Sequence, residues 1–168
     1  MRKEPSFDFK VDKEKQTIFI ERQFDAALEW VWKAWTNPAL LDQWFGPKPF
    51  KAKTLSMDFR EGGFWLYTLI SEEYGNQWGR TDYHKIEKHR FFTASDSFLD
   101  ENLITIPDYP VSFWKIEFSE EGGITTIYVT TTYKTVDDLE KMVKWGYMDG
   151  FTAVMKNLDE LLEILKSR

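Results

Sequence analysis

The sequence has no cysteine, only two histidines and no long hydrophobic run. The absence of cysteine excludes disulfide bonds, thiolate nucleophiles and cysteine-based zinc sites, and it is compatible with a reducing compartment. No stretch approaches the roughly 18 apolar residues that a membrane-spanning helix requires. The polar N-terminal sequence also lacks the apolar core of a signal peptide, so we expect a cytoplasmic protein.

The charge balance bears on the choice of partner. The chain carries 22 Lys and Arg against 28 Asp and Glu, which gives a net charge of −6 at pH 7. Because nonspecific nucleic-acid binding depends on cationic side chains that neutralise phosphates, nucleic acid is not expected as a partner. The length of 168 residues suits one domain. We assign residues 1–13 to a polar N-terminal extension and residues 14–168 to a single domain.

Aromatic residues are abundant. They make up 17% of the chain, with 14 Phe, 8 Trp and 7 Tyr. An excess of large flat side chains is expected around a roomy apolar pocket. The alternative is a bulky core in a protein rich in β-sheet, because aromatic residues favour strands.

The first third of the chain predicts a strand followed by two helices. Residues 16–24 are β-branched and aromatic, which favours a strand. Asp25 is a candidate N-cap, and apolar residues then recur with the i, i+3, i+4, i+7 spacing of an amphipathic helix. This helix should end near Pro38, and a short second helix is expected over residues 38–44.

The remainder predicts a run of strands and one long helix. Short Gly- and Asn-containing turns separate the strands and imply an antiparallel meander. The last segment, residues 136–166, has a continuous apolar stripe typical of a helix, with Gly146 and Gly150 inside it. The glycines indicate either space for a ligand or a mild kink. The predicted strands are residues 50–59, 63–71, 77–87, 90–99, 111–119 and 124–134.

This element order predicts an α+β fold with a seven-stranded antiparallel sheet covered by the long C-terminal helix. A hollow remains between sheet and helix if the sheet curls more than the helix can fill. The aromatic excess fits such a hollow.

Several segments resemble a known family when they are taken together. Their combined spacing is similar to that of the activator of heat-shock protein 90 ATPase homologue-like (AHSA-type) domain of the START-like (SRPBCC) superfamily, over about residues 16–166. The segments are RQFDAA at 22–27, VWKAWTNP at 31–38, WFGP at 44–47, DFREGGFW at 58–65, GRTDYHKIE at 79–87, GYMDG at 146–150 and LDEL at 158–161.

The resemblance implies a helix-grip fold of the START-like or Bet v-like kind. In such a fold a seven-stranded curved antiparallel sheet wraps around a long C-terminal helix, and two short helices follow the first strand. Members of the superfamily often bind lipids, polyketides or other apolar molecules in the cavity between sheet and helix. The family relationship also implies a chaperone as a possible partner.

Catalytic motifs are scarce. No Gly-x-Ser-x-Gly elbow, Gly-rich phosphate loop or dinucleotide fingerprint occurs. His84 and His89 lie five residues apart across a predicted turn and form no convincing metal set. We therefore assign no catalytic residue, no metal site and no cofactor.

The aromatic and methionine residues on the predicted strands and long helix are the best candidates for cavity lining. Arg22 is in phase with the apolar residues of its strand, so it needs a partner if that face is buried. His84 has a place among the candidates because it lies on a strand beside Tyr83. The alternative for each of them is that it fills the core. The full candidate set is Trp65, Trp78, Trp114, Met142, Trp145, Met148, Phe151, Arg22 and His84.

Three functions are compatible with these features. The leading hypothesis is a binding protein for a small apolar or aromatic molecule such as a lipid, a polyketide or an aromatic metabolite. The second is a protein-interaction module that regulates a chaperone. The third is a cyclase- or hydratase-like enzyme that uses a cavity carboxylate or His84 as acid or base. The sequence predicts no oligomeric state.

Overall fold

The computed structural model describes residues 7–167. Residues 1–6 of the predicted extension and Arg168 lie outside the described residues. The strands are β1 (Phe7–Asp12), β2 (Thr17–Phe24), β3 (Lys51–Asp58), β4 (Phe64–Ile70), β5 (Gln77–Glu87), β6 (Phe91–Leu99), β7 (Ser112–Glu121) and β8 (Ile124–Tyr133). The helices are α1 (Leu28–Thr36), α2 (Pro38–Trp44), α3 (Val136–Lys144) and α4 (Tyr147–Lys166).

The described strands form one antiparallel sheet in the order β1-β2-β8-β7-β6-β5-β4-β3. The expected α+β class, the antiparallel meander and the C-terminal helix are confirmed. The expected strand count is wrong, because the sheet has eight strands instead of seven. Strand β3 lies at the edge opposite β1, so α1 and α2 carry the chain across the sheet from β2 to β3.

The eighth strand is β1, which comes from the segment that the sequence analysis assigned to the polar extension. Its sequence, FDFKVD, alternates apolar and polar side chains. The strand pairs with β2, where Phe9 lies opposite Ile20. Phe7 and Phe9 pack against the core, which explains why a segment of mostly polar composition is held at the sheet edge.

The two short helices form where they were predicted, but α1 is capped differently. The N-cap residue is Ala27, which has no side-chain oxygen, and Asp25 does not serve as the cap. The free N–H of Leu28 instead donates to Glu120 Oε1 on β7 at 2.6 Å. A carboxylate near a helix N-terminus is favourable because it compensates unpaired N–H groups and the helix dipole.

The C-terminal segment is two helices, whereas the sequence predicted one over residues 136–166. The break lies at Gly146, whose φ of 90° is in the left-handed region. A glycine in this conformation commonly follows the last residues of a helix because it has no Cβ to clash. The break places Trp145 and Tyr147 on either side of a sharp change in chain direction.

Helix α4 packs against the sheet through its C-terminal half. Its buried apolar residues belong to the same core cluster as residues of β2, β7 and β8. Arg22 of β2 and Asp159 of α4 form an ion pair inside this contact. The Arg22 side chain is only 10% exposed. The buried apolar residues of α4 are Val154, Met155, Leu158, Leu161, Leu162 and Leu165.

We predict that Asp159→Asn lowers the free energy of unfolding by about 1–3 kcal/mol, because Arg22 then keeps its buried charge without an ionised partner. Chemical denaturation measures this change. The control is Glu160→Gln, which removes a carboxylate that pairs with Lys48 at 3.7 Å on the surface. This control should cost less than about 1 kcal/mol. Equal losses in the two variants would contradict a special role for the pairing of Asp159 with the buried Arg22.

Candidate functional site

A cavity of about 620 Å³ lies between the inner face of the sheet and the helices. Strands β4 to β8 supply one wall, and residues from all four helices supply the other. The segment between β6 and β7 borders one side of the cavity with Ile106 and Tyr109. The volume is in the range of pockets that hold drug-sized ligands.

Packed aromatic rings close the inner end of the cavity. The rings of Trp35 and Trp44 meet edge to face with centroids 4.7 Å apart. Phe45 contacts Tyr67 in the same way, with centroids 5.3 Å apart. Such tilted contacts are favourable because the positive edge of one ring meets the negative face of the next. The cavity therefore has a rigid apolar floor.

Exposed aromatic residues mark the side on which the cavity meets solvent. Trp145, at the α3–α4 break, and Tyr109 both line the cavity, yet they are 52% and 45% exposed. Their ring centroids are 5.3 Å apart, and Tyr109 also contacts Phe98 of β6 at 5.5 Å. The entrance is thus formed by the 100–110 segment and the break at Gly146.

Asp96 of β6 is the principal polar group of the cavity wall. Its Oδ1 atom accepts hydrogen bonds from Thr81 Oγ1 at 2.9 Å and from Tyr67 OH at 3.5 Å. Burial raises the pKa of Asp96 to about 7, although these two hydrogen bonds lower it, and Asp82 raises it slightly. The carboxyl group therefore exchanges its proton near neutral pH.

Tyr67 reaches Asp96 because Gly79 lies opposite it on β5. A Cβ atom at Gly79 would be 2.4 Å from both Cζ and OH of Tyr67, which is far inside van der Waals contact. The missing side chain lets the Tyr67 ring lie across the β5 backbone. Burial, followed by the charge of Asp96, raises the pKa of Tyr67 well above its usual value, so this hydroxyl stays a hydrogen-bond donor.

Two buried polar atoms in the cavity walls make no hydrogen bond within residues 7–167. They are Tyr133 OH and Trp35 Nε1. Leaving a buried donor unpaired costs about 1–3 kcal/mol. By contrast, the Tyr147 hydroxyl has Thr131 Oγ1 at 3.2 Å. Tyr133 OH and Trp35 Nε1 are shielded from the cavity space as well as from solvent, so the structure bears this cost at both atoms.

The structure brings five of the nine predicted cavity residues into the cavity wall. They come from β5, β7, α3, the α3–α4 break and α4. Their contact with a ligand remains a prediction. The five residues are Trp78, Trp114, Met142, Trp145 and Phe151.

The other four candidates lie outside the cavity. Trp65 is 2% exposed, and it is packed against Tyr67 with ring centroids 4.2 Å apart. Met148 is 42% exposed on α4. The ion pair with Asp159 directs Arg22 into the sheet–helix contact. His84 is exposed and hydrogen-bonds through Nε2 to Ser95 Oγ at 2.6 Å, because side chains alternate along β5 and Tyr83 takes the inner face.

Comparison with known proteins identifies the family. The family model described as Activator of Hsp90 ATPase homolog 1-like protein matches residues 25–163. The chain belongs to this family. A comparison with curated proteins gave no match.

Solved structures share the START-like fold of this family member. The crystal structure of protein Ms6760 from Mycobacterium smegmatis is 25% identical, with a TM-score of 0.86, and covers 95% of this chain and 97% of its own. A solution structure of a protein from Arthrobacter aurescens is 22% identical, with a TM-score of 0.88, and the match covers 93% of this chain and 91% of that protein. CalU16 from Micromonospora echinospora is 24% identical, with a TM-score of 0.58, and the match covers 95% of this chain and 73% of CalU16.

Residues 7–167 contain no group of three or more His, Asp or Glu residues arranged to bind a metal ion. Within residues 7–167, no helix is both long and apolar enough to cross a membrane. The ionisable groups of the cavity wall are the carboxyl groups of Asp96 and Asp100 and several phenols, and the rest of the wall is mainly apolar.

Asp96 is the functional candidate that the sequence analysis missed. The signal was present, because Asp96 alternates in phase with Phe92, Ala94 and Phe98 on β6. An acidic residue in phase with apolar neighbours belongs on the inner face of a strand. The same reasoning applied to Arg22 called for a partner, and Asp159 is that partner.

We predict that Asp96→Asn becomes more stable relative to wild type as pH rises. The pKa of Asp96 is about 7 in the folded protein. This value exceeds the pKa of about 4 for an unfolded Asp, so wild-type stability falls between about pH 4 and pH 7. The difference should grow by about 1–3 kcal/mol in urea denaturation at pH 4.5, 6 and 7.5.

Asn lacks this titration, so the variant isolates the contribution of Asp96 from that of the other carboxylates. Burial keeps the pKa of the nearby phenols of Tyr67, Tyr83, Tyr133 and Tyr147 above 10, so they remain neutral throughout this window. A stability difference that stays constant with pH would contradict the burial of Asp96.

Proposed function

We propose that this chain binds a small apolar or aromatic molecule in the cavity. The observation that carries the proposal is a 620 Å³ space whose lining includes twelve aromatic residues. Desolvation of ligand and wall supplies the binding free energy, and a few polar groups orient the ligand. The cytoplasmic location expected from the sequence stays a prediction.

The size and chemistry of the cavity favour a ligand over water. Liquid water occupies about 30 Å³ per molecule, so roughly 20 molecules would be needed to fill the space. Each ordered water needs two to four polar partners, which aromatic walls do not provide. An apolar molecule gains more from this surface than water does.

A chaperone partner is supported by the family description alone. That description names an activator of the Hsp90 ATPase. A chaperone-regulating role does not use the cavity, so it leaves the main structural feature of the chain unexplained. We therefore rank it below ligand binding.

Asp96 favours a second candidate function, which is acid–base catalysis on a bound molecule. A carboxyl group with a pKa of about 7 in an apolar cavity suits proton transfer at neutral pH. His84 does not suit this role, because it lies on the exposed face of β5.

This second candidate predicts that wild type chemically converts a molecule that both wild type and Asp96→Asn bind. Chromatography coupled to mass spectrometry, after each protein is incubated with a small-molecule extract, would detect the conversion. Compounds that both proteins bind and leave unchanged would count against catalysis.

The test of ligand binding uses Gly150 of α4, which lines the cavity. A Cβ atom at this position meets no atom within 4 Å, so a larger side chain has room to enter the empty space. We predict that Gly150→Leu weakens binding of the neutral fluorophore N-phenyl-1-naphthylamine at least tenfold in a fluorescence titration. The fold should survive, because removing a helical Gly gains about 1 kcal/mol.

The matched control is Lys156→Leu, which adds the same side chain at an exposed position of the same helix. It should bind the fluorophore like wild type. Native mass spectrometry of the gently purified proteins adds a second readout, since an adduct of a few hundred daltons should appear on wild type and on the control only. Equal binding by all three proteins, or binding by none, would refute the cavity as the ligand site.

A further inference from the structure

The charged side chains that line the cavity are all acidic. Among the described residues, the cavity lining contains Asp96 and Asp100 but no Lys, Arg or His. A ligand with a carboxylate or phosphate would therefore meet two acidic groups and no cation. An anion moved out of water into such a site has no charge to pair with, which is strongly unfavourable.

Of the two carboxylates, Asp100 is occupied by its own loop. Its Oδ1 accepts hydrogen bonds from the backbone N–H groups of Asn102 at 2.8 Å and Ile104 at 3.1 Å. Asp96 is held instead by side chains of β4 and β5, since Oδ1 accepts from Tyr67 OH and Thr81 Oγ1; as in Asp100, the second oxygen, Oδ2, has no hydrogen-bond partner within residues 7–167. Asp96 thus has a free oxygen to offer a ligand.

The aromatic walls complement a positive charge. Ring faces carry partial negative charge and attract ammonium groups within about 6 Å. Tyr67, Trp114 and Tyr147 line the same cavity as Asp96. One carboxylate among several rings is an arrangement suited to binding organic cations.

We propose that the ligand of this cavity is an organic cation, an apolar or aromatic molecule with a protonated amine whose nitrogen lies at Asp96 Oδ2. This inference rests on the proposed function, since it specifies the ligand class of the same cavity. Fatty acids and other anionic lipids are excluded as ligands, and neutral molecules bind more weakly than amines of the same shape.

The test is a competition assay against N-phenyl-1-naphthylamine at about pH 8, above the pKa of Asp96 of about 7. The competitors are 4-(2-naphthyl)butylamine, 4-(2-naphthyl)butan-1-ol and 4-(2-naphthyl)butanoate. They share one apolar body and differ only in charge. A primary alkyl amine remains protonated at this pH, as Lys does with a pKa near 10.4. We expect the amine to bind at least tenfold more tightly than the alcohol, and the carboxylate to bind most weakly.

One variant assigns the preference to a named group. Asp96→Asn should bring the amine and the alcohol to within about twofold of each other, while binding of the alcohol is retained. The control is Asp82→Asn, which removes a carboxylate on β5 that pairs with Arg80 outside the cavity and should keep the full preference.

The outcomes separate this inference from the proposed function. If the fluorophore binds and the wild-type protein prefers the alcohol or the carboxylate, or binds all three equally, the cation proposal is overturned and ligand binding stands. If neither the fluorophore nor any competitor binds, the proposed function fails and the cation proposal fails with it. The wild-type comparison is decisive even if Asp96→Asn does not fold.

Discussion

The unequal packing of α4 determines the architecture. Its C-terminal half is held in the core by a row of buried leucines and by the pairing of Arg22 with Asp159. Asn157 adds two hydrogen bonds to the end of α2, through the carbonyl oxygens of Trp44 and Gly46. The N-terminal half carries Gly150 where a core helix would place a large side chain. One helix therefore seals one end of the sheet and leaves the other end hollow.

Much of the fold follows from local patterns in the sequence. The alternation of apolar residues and the short turns predicted six strands of the meander, and helical spacing predicted α1. The errors arose where tertiary contacts outweigh composition. Strand β1 looks polar, yet Phe7 and Phe9 anchor it to the sheet edge. The sequence did not distinguish the break at Gly146 from a mild kink, because the apolar pattern around a glycine does not determine its φ angle.

The candidate site was only half predictable, and the reason is geometric. Composition distinguishes apolar from polar positions, but it does not say whether an inward residue meets a helix or an empty space. Trp65 and Tyr67 share a face of β4, yet only Tyr67 lines the large cavity, because Trp65 is covered by Phe45 with ring centroids 4.8 Å apart. The orientation of His84 and Asp96 could have been predicted, because alternation along a strand assigns each side chain to one face of the sheet.

The stability of the fold does not account for a carboxyl group at position 96, that of Asp96. A carboxyl group among aromatic rings costs stability when it is ionised, and the described structure supplies no cation to offset that cost. Thr81 and Tyr67 donate hydrogen bonds to one oxygen only, so the group is held in place without being neutralised. Gly79 leaves room for the Tyr67 ring that makes one of those contacts. Proteins depart from sound packing mainly at functional sites. A carboxyl group that is held in place at the wall of an aromatic cavity without a cation beside it is such a departure.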